Sequence, residues 1–187
     1  MTRPADYYVR HEAGSDRIPI EEARALPHLP FYGVLDCLRS AHNVGSIFRT
    51  CDGAGASGLS LCGYTPCPPH RHLAKTALGA VDTVPWQHFE TVEEAIVDLR
   101  SRQVHVLALE KTPDSVSLYD YPLQFPVALV CGNEVDGLAP HICALCDAIV
   151  HLPMHGHKNS LNVSVAFGAA AYEVQRRIIQ SGIIDAG

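Results

Sequence analysis

Residues 126–174 read PVALVCGNEVDGLAPHICALCDAIVHLPMHGHKNSLNVSVAFGAAAYEV, and this stretch decides the fold. An apolar run, residues 126–130, breaks into the turn Cys131-Gly132-Asn133-Glu134. A second run, residues 148–152, breaks at Pro153-Met154-His155-Gly156. Short continuous runs of Val, Leu and Ile bounded by Gly or Pro read as strands buried on both faces, which belong in parallel sheets. Open parallel sheets bind ligands outside their carboxyl ends. The loops at residues 132–134 and 154–162 both leave strand ends and are expected to face one crevice. Gly132 allows close approach to the backbone. A long apolar helix follows, with Ser160 or Asn159 as candidate N-caps.

Working outward, the same alternation extends upstream. Residues 31–38 read as a first strand, and 43–54 as a helix with Val44, Ile47, Phe48 and Cys51 on one face. Arg49 falls off that stripe. Gly53-Ala54-Gly55-Ala56-Ser57-Gly58 spells G-x-G-x-x-G, but here a helix precedes it and a strand follows. A dinucleotide fingerprint requires the opposite order, so these glycines are expected to end one element and turn into the next. Strands are expected at 59–62, 84–89 and 103–109, with short helices at 71–80 and 140–145. Thr91 caps a helix running to about Arg102, and residues 115–124 read as a loop. The chain is therefore α/β, with a mainly parallel sheet and helices on both faces. It divides into an N-terminal extension (1–30), one catalytic-size domain (31–180) and a short tail (181–187). The extension carries Pro4, Pro19, Pro27 and Pro30, and a short helix is expected near residues 21–26. A sharper possibility is an RNA-touching arm with Tyr7, Tyr8 and Arg10.

Three motifs carry a resemblance. Asn43-Val44-Gly45-Ser46-Ile47-Phe48-Arg49-Thr50 (N-x-G-x-x-x-R-T), the G-N-E-x-x-G-L of residues 132–138 and the P-M-x-G-x-x-x-S-L-N-V-S of residues 153–164 resemble those of the SpoU/TrmH branch of the SPOUT methyltransferases. The resemblance covers residues 32–175. It implies transfer of a methyl group from S-adenosylmethionine to a ribose 2′-hydroxyl of tRNA or rRNA. It also implies a C-terminal deep trefoil knot and a homodimer with the active site at the subunit interface. Periodicity alone predicts neither. By resemblance the donor site comprises Leu109, Gly132, Asn133, Glu134, Leu152, Met154, Ser160 and Leu161, with Leu138 beside Met154 against the adenine.

The chemistry is an in-line displacement that needs alignment and an activated hydroxyl, and no metal. The catalytic set implied by the resemblance is Arg49, Asn43, Glu134, Ser160 and Asn162. Guanidinium groups hold their proton too tightly to serve as bases. Arg49 is therefore expected to stay charged, grip a substrate phosphate and stabilise the developing alkoxide, with the other four positioning it and the ribose.

Composition sets bounds on this reading. At 187 residues the chain is one domain with no bilayer-length apolar run and no signal-peptide pattern, so a cytoplasmic protein is expected. The net charge of −6 opposes bulk attraction to RNA, leaving that role to a local basic face. Seven cysteines, an odd number, read as reduced and largely buried thiols. One C-x-x-C (Cys143, Cys146) and histidines at 70, 72, 151, 155 and 157 are a weak zinc pattern, lacking a second pair at the right spacing. The alternative function is an RNA- or partner-binding protein of the same fold without methyltransferase activity.

Overall fold

In the computed structural model, which describes residues 18–183, seven strands form one sheet in which every pairing is parallel. The strands are β1 (Leu29–Asp36), β2 (Ala56–Cys62), β3 (Trp86–Phe89), β4 (His105–Leu109), β5 (Val116–Ser117), β6 (Val127–Cys131) and β7 (Ala148–His151). The helices are α1 (Ile20–Arg24), α2 (Ala41–Ala54), α3 (Arg71–Ala77), α4 (Val92–Ser101), α5 (Pro140–Leu145) and α6 (Val163–Gln180). The sheet order is β3-β2-β1-β6-β4-β7-β5. β7 thus enters between β4 and β5, two strands that precede it in the chain.

Alternate residues of the central strands face two separate cores. Leu35, Leu107 and Leu129 join Phe48 and Phe167 under α2, α3 and α6. Val34, Val106, Ala128 and Val130 join Ile96, Leu99 and Ile142 under α4 and α5. Every residue of β6 is buried, which is why it reads as an unbroken apolar run. The sheet ends in the exposed β3 and the two-residue β5, short edges that limit unpaired backbone. β5 is absent from the sequence reading because two residues make no run. Its pairing comes only from Val116 and Ser117 lying against Val150 and His151.

The helices begin and end for local reasons. Ser40 caps α2 by accepting from the Asn43 amide at 3.3 Å, and Gly55 closes it in the left-handed region (φ 73°). The glycine run therefore ends a helix, as its order in the chain requires. Thr91 and Glu94 form a reciprocal capping box on α4. Phe167 of α6 lies 6.0 Å from the Phe31 ring, and a Cβ on Gly33 would sit 3.0 Å from it, so a glycine in β1 seats the last helix. Burying such a ring contributes about 2–3 kcal/mol.

The arm with Tyr7, Tyr8 and Arg10, and the end of the tail, lie outside the described residues. Among those described, no helix is long and apolar enough to cross a membrane.

Candidate functional site

β6, β4 and β7 are neighbours in the sheet, and their carboxyl ends release three loops around one cavity of about 410 Å³. Its lining includes Leu109, Gly132, Asn133, Glu134, Leu152, Met154, Ser160 and Leu161, all eight residues expected at the donor site. Leu138 is not among them. It is buried in the core under α4 and α5, next to Ile142 and Cys143, because the loop turns its side chain through to the other face of the sheet. A larger hollow of about 610 Å³ lies between α1, the end of α2 and α6. None of the three strand-end loops reaches it, so the smaller cavity is the better candidate for chemistry.

The loop after β6 is built by its own packing. A Cβ on Gly132 would lie 2.4 Å from the Gly137 carbonyl, so the glycine answers to the loop's backbone rather than directly to a ligand. The Asn133 carbonyl accepts from the Gly137 amide at 2.9 Å, and Asn133 Oδ1 accepts from the Val135 amide at 2.8 Å. Asn133 Nδ2 donates to the Cys37 carbonyl and to the Tyr64 hydroxyl. The Asn133 side chain is therefore spent on shaping the loop. Glu110, which sequence reading missed, joins this loop to the end of β4. Its carboxylate accepts from the Leu138 and Lys111 amides, each at 2.9 Å. A carboxylate ending a strand is a faint signal, and its partner lies 28 residues away.

Residues from all three motifs meet at the edge of the cavity. The Glu134 carboxylate accepts from the Arg39 amide at 2.8 Å, the Ser40 amide at 3.1 Å and Asn43 Nδ2 at 2.8 Å. Asn162 Nδ2 donates to Asn43 Oδ1 at 3.2 Å. Partial burial alone would raise the Glu134 pKa, but these hydrogen bonds outweigh it and hold the group below its ordinary range. Asn162, not Ser160 or Asn159, caps α6: its Oδ1 accepts from the Ser164 and Val165 amides. The cap falls there because the loop through Ser160 and Leu161 still lines the cavity and bends into the helix only afterwards. Ser160 lines the cavity and takes no part in the Glu134–Asn43–Asn162 chain.

Arg49 stands apart. Six residues at about 100° each separate it from Asn43 by about 240° around α2. It is exposed and lines a shallow depression of about 500 Å³ with Ser46, Thr50, Lys75, Thr76 and Tyr172, not the loop cavity. Within one chain, four of the five expected catalytic residues therefore collect at the cavity and the fifth does not.

The cysteines of the C-x-x-C and of the strands lie buried or half-buried. All seven cysteines are unpaired thiols. Burial, with neighbouring Cys143 and Asp147 adding, pushes Cys146 up to about 12, and burial pushes Cys143 upward as well. Among the described residues no group of three or more His, Cys, Asp or Glu is arranged to hold a metal ion. Cys131, in the cavity wall, is likewise pushed up to about 12, mainly by burial.

Known proteins resemble this chain in sequence and fold. A TrmH family tRNA/rRNA methyltransferase assigned as putative in Staphylococcus haemolyticus is 33% identical over 149 residues, 80% of this chain and 59% of that one. The 23S rRNA (guanosine-2′-O-)-methyltransferase RlmB of Shewanella oneidensis is 32% identical over 158 residues, 84% of this chain and 64% of that one. The present chain thus spans less than two thirds of either relative. The AdoMet-bound rRNA methyltransferase of Sinorhizobium meliloti superposes with a TM-score of 0.74 at 31% identity, over 85% of this chain and 60% of that one. The profile of the SpoU rRNA methylase family matches residues 30–172, the span from the first strand to α6 that contains every motif above. Sequence, sheet order and loop geometry agree: this chain belongs to the SpoU rRNA methylase family.

Proposed function

We propose that this protein is an S-adenosylmethionine-dependent methyltransferase that modifies a ribose 2′-hydroxyl of tRNA or rRNA. The observation that carries the reading is the convergence of three strand-end loops on one cavity, with Asn43, Glu134 and Asn162 hydrogen-bonded in a chain at its edge. The cavity suits the donor. Its size falls within the range of small-molecule sites. Leu152, Met154, Leu161 and Ala166 offer apolar walls, and Glu110, Glu134 and Asp136 outnumber the single cation Lys111 in the lining, which favours a cationic ligand. Cys131 remains a neutral thiol there and does not compete as a nucleophile.

When bound, S-adenosylmethionine supplies an electrophilic methyl on a sulfonium leaving group. The chain's own residues supply position and charge. Glu134 fixes the entrance to α2 through Arg39, Ser40 and Asn43, and Asn162 ties the start of α6 to the same point. The acceptor ribose is positioned by this hydrogen-bonded chain, with Ser160 on the same loop two residues before Asn162. Arg49 contributes charge to the substrate phosphate and the developing alkoxide from a second copy of the chain, in a homodimer whose site spans the interface. Two features support that arrangement: Arg49 lies outside the cavity lining of its own chain, and Leu161 on the cavity wall and Val165 on the first turn of α6 are exposed apolar side chains. The C-terminal trefoil knot and a cytoplasmic location belong to the same reading, and no metal is assigned a role.

The test is calorimetric titration with S-adenosylmethionine and S-adenosylhomocysteine, followed by methyl transfer to total tRNA and rRNA. Micromolar binding at one site per chain is expected, and it should be lost in Ala166→Phe, which puts a ring into the cavity from the first turn of α6. A folded protein that binds neither compound sinks the enzymatic reading in favour of RNA or partner binding alone.

A further inference from the structure

The depression beside Arg49 contains a cation that nothing above employs. We propose that Lys75 and Arg49 together form a seat for one RNA backbone phosphate, with Tyr172 as the wall against which the adjoining nucleotide lies. This rests on the RNA methyltransferase reading and adds a substrate-positioning residue to it.

Four observations carry the proposal. Among the described residues, Ser46, Arg49, Thr50, Lys75, Thr76, Leu78 and Tyr172 line the depression, and none of them carries a carboxylate. The nearest acid along α2, Asp52, lines the neighbouring hollow, whose edge Arg49 and Tyr172 share, and its carboxylate accepts from the Thr83 hydroxyl at 2.6 Å. Among the described residues, neither the Arg49 guanidinium nor the Lys75 ammonium has an ion-pair or hydrogen-bond partner. In a chain of net charge −6, two cations on one concavity whose described lining holds no acid form a local anion site against the bulk charge.

The pair is also rigidly placed. α3 packs on α2 at Gly45, where a Cβ would lie 2.1 Å from Thr76 Oγ1 and 2.4 Å from the Leu73 carbonyl. The Thr76 hydroxyl donates to the His42 carbonyl at 3.1 Å. Lys75 precedes Thr76, so its stem starts from a junction that cannot slide. Arg supplies a planar fork and Lys a mobile point charge, a complementary pair for a tetrahedral anion. Tyr172 is half exposed (51%) and presents an aromatic face on which a base or ribose can stack.

The experiment measures binding of bulk tRNA and of rRNA fragments across a salt series for the wild type, Lys75→Ala and Lys75→Arg. Donor titration and sedimentation are run on the same preparations. Each phosphate contact contributes about 0.9 to the slope of log affinity against log salt, so Lys75→Ala should flatten that slope by about one. Its KM for RNA should rise about tenfold, the loss of one charge-assisted hydrogen bond. Lys75→Arg should keep the wild-type slope, and S-adenosylmethionine affinity should not change in either variant. A Lys75→Ala protein with wild-type slope and KM overturns the proposal. So does a loss accompanied by altered sedimentation, which would make Lys75 an interface residue. Failure of the wild type to bind S-adenosylmethionine would instead strike the parent reading.

Discussion

Gly45→Ala sets two effects of opposite sign against each other, and the structure decides between them. Alanine in a helix interior is favoured over glycine by about 1 kcal/mol, partly through the unfolded chain. At Gly45, however, the new methyl would lie 2.4 Å from the Leu73 carbonyl oxygen, about an ångström inside ordinary contact. The Thr76 hydroxyl at 2.1 Å can rotate away; the carbonyl is main chain and can yield only if α3 moves. Overpacking of this kind costs about 1–3 kcal/mol, here toward the upper end, and stretching the Thr76–His42 hydrogen bond adds to it. The net expectation is a loss of about 1–2 kcal/mol, which lowers Tm by about 2–8 °C for a chain of this size. Gly168→Ala is the internal comparison. Its Cβ would meet Thr50 at 3.8 Å, ordinary contact, so the same substitution should there stabilise by about 0.5–1 kcal/mol. Urea midpoints at constant slope measure both. A Gly45→Ala protein as stable as wild type would refute the claim that the α2–α3 contact dictates the glycine of the first motif.

Glu134→Gln keeps the side chain's size but turns an amide N–H₂ toward main-chain donors. It should cost about 0.5–1 kcal/mol, the low end for a charged acceptor because the group is exposed. The wild-type carboxylate titrates below its ordinary value of 4.5, so its stabilisation is complete above that pH and fades as pH falls through the folded pKa. The difference between urea midpoints of the two proteins should therefore shrink as pH is lowered below 4.5. Asn162 has two duties that one pair of variants separates. Asn162→Ala loses the cap and should cost about 1 kcal/mol, whereas Asn162→Asp keeps the cap but replaces the donor to Asn43 with an acceptor. Denaturation should spare the aspartate variant while methyl transfer falls in both; equal activity of Asn162→Asp and wild type would remove Asn162 from the positioning chain.

Local elements were legible because their causes are local. The buried stripe of α2, the Thr91–Glu94 box and the unbroken run of β6 each declare themselves within a few residues. The sheet order was not legible. β1 lies between β2 and β6, and no local signal marks a pairing between segments about a hundred residues apart. β5 was missed for the same reason, since only β7 makes it a strand. At the site, Leu109 and Leu152 are ordinary strand-end leucines until a family pattern singles them out, yet both line the cavity. The cap of α6 was misplaced by two or three residues because Ser160, Asn159 and Asn162 are all competent caps. The course of the preceding loop chooses among them. Glu110 escaped because its role rests on the Leu138 amide, 28 residues away in another loop.

The position of Arg49 makes the dimer arrangement testable without an interface structure. Take Arg49→Ala and Ala166→Phe, one lacking the cation and the other with a blocked cavity, each alone expected to be inactive. In a dimer that combines them, the first chain has an open cavity and the second an intact Arg49. If Arg49 reaches across the interface, one of the two sites in each mixed dimer is complete. Random mixing makes half the dimers mixed, so about a quarter of wild-type activity should return on co-refolding or co-expression. If Arg49 serves its own chain, the mixed dimer has a cavity without its arginine on one side and an arginine without its cavity on the other, and nothing returns. The geometry favours recovery, because rotation around α2 directs Arg49 away from Asn43 and toward Lys75 and Tyr172. Mixed dimers without activity would require α2 or its side chain to rearrange on binding RNA, and would move the phosphate seat to the same side of the chain as the donor cavity.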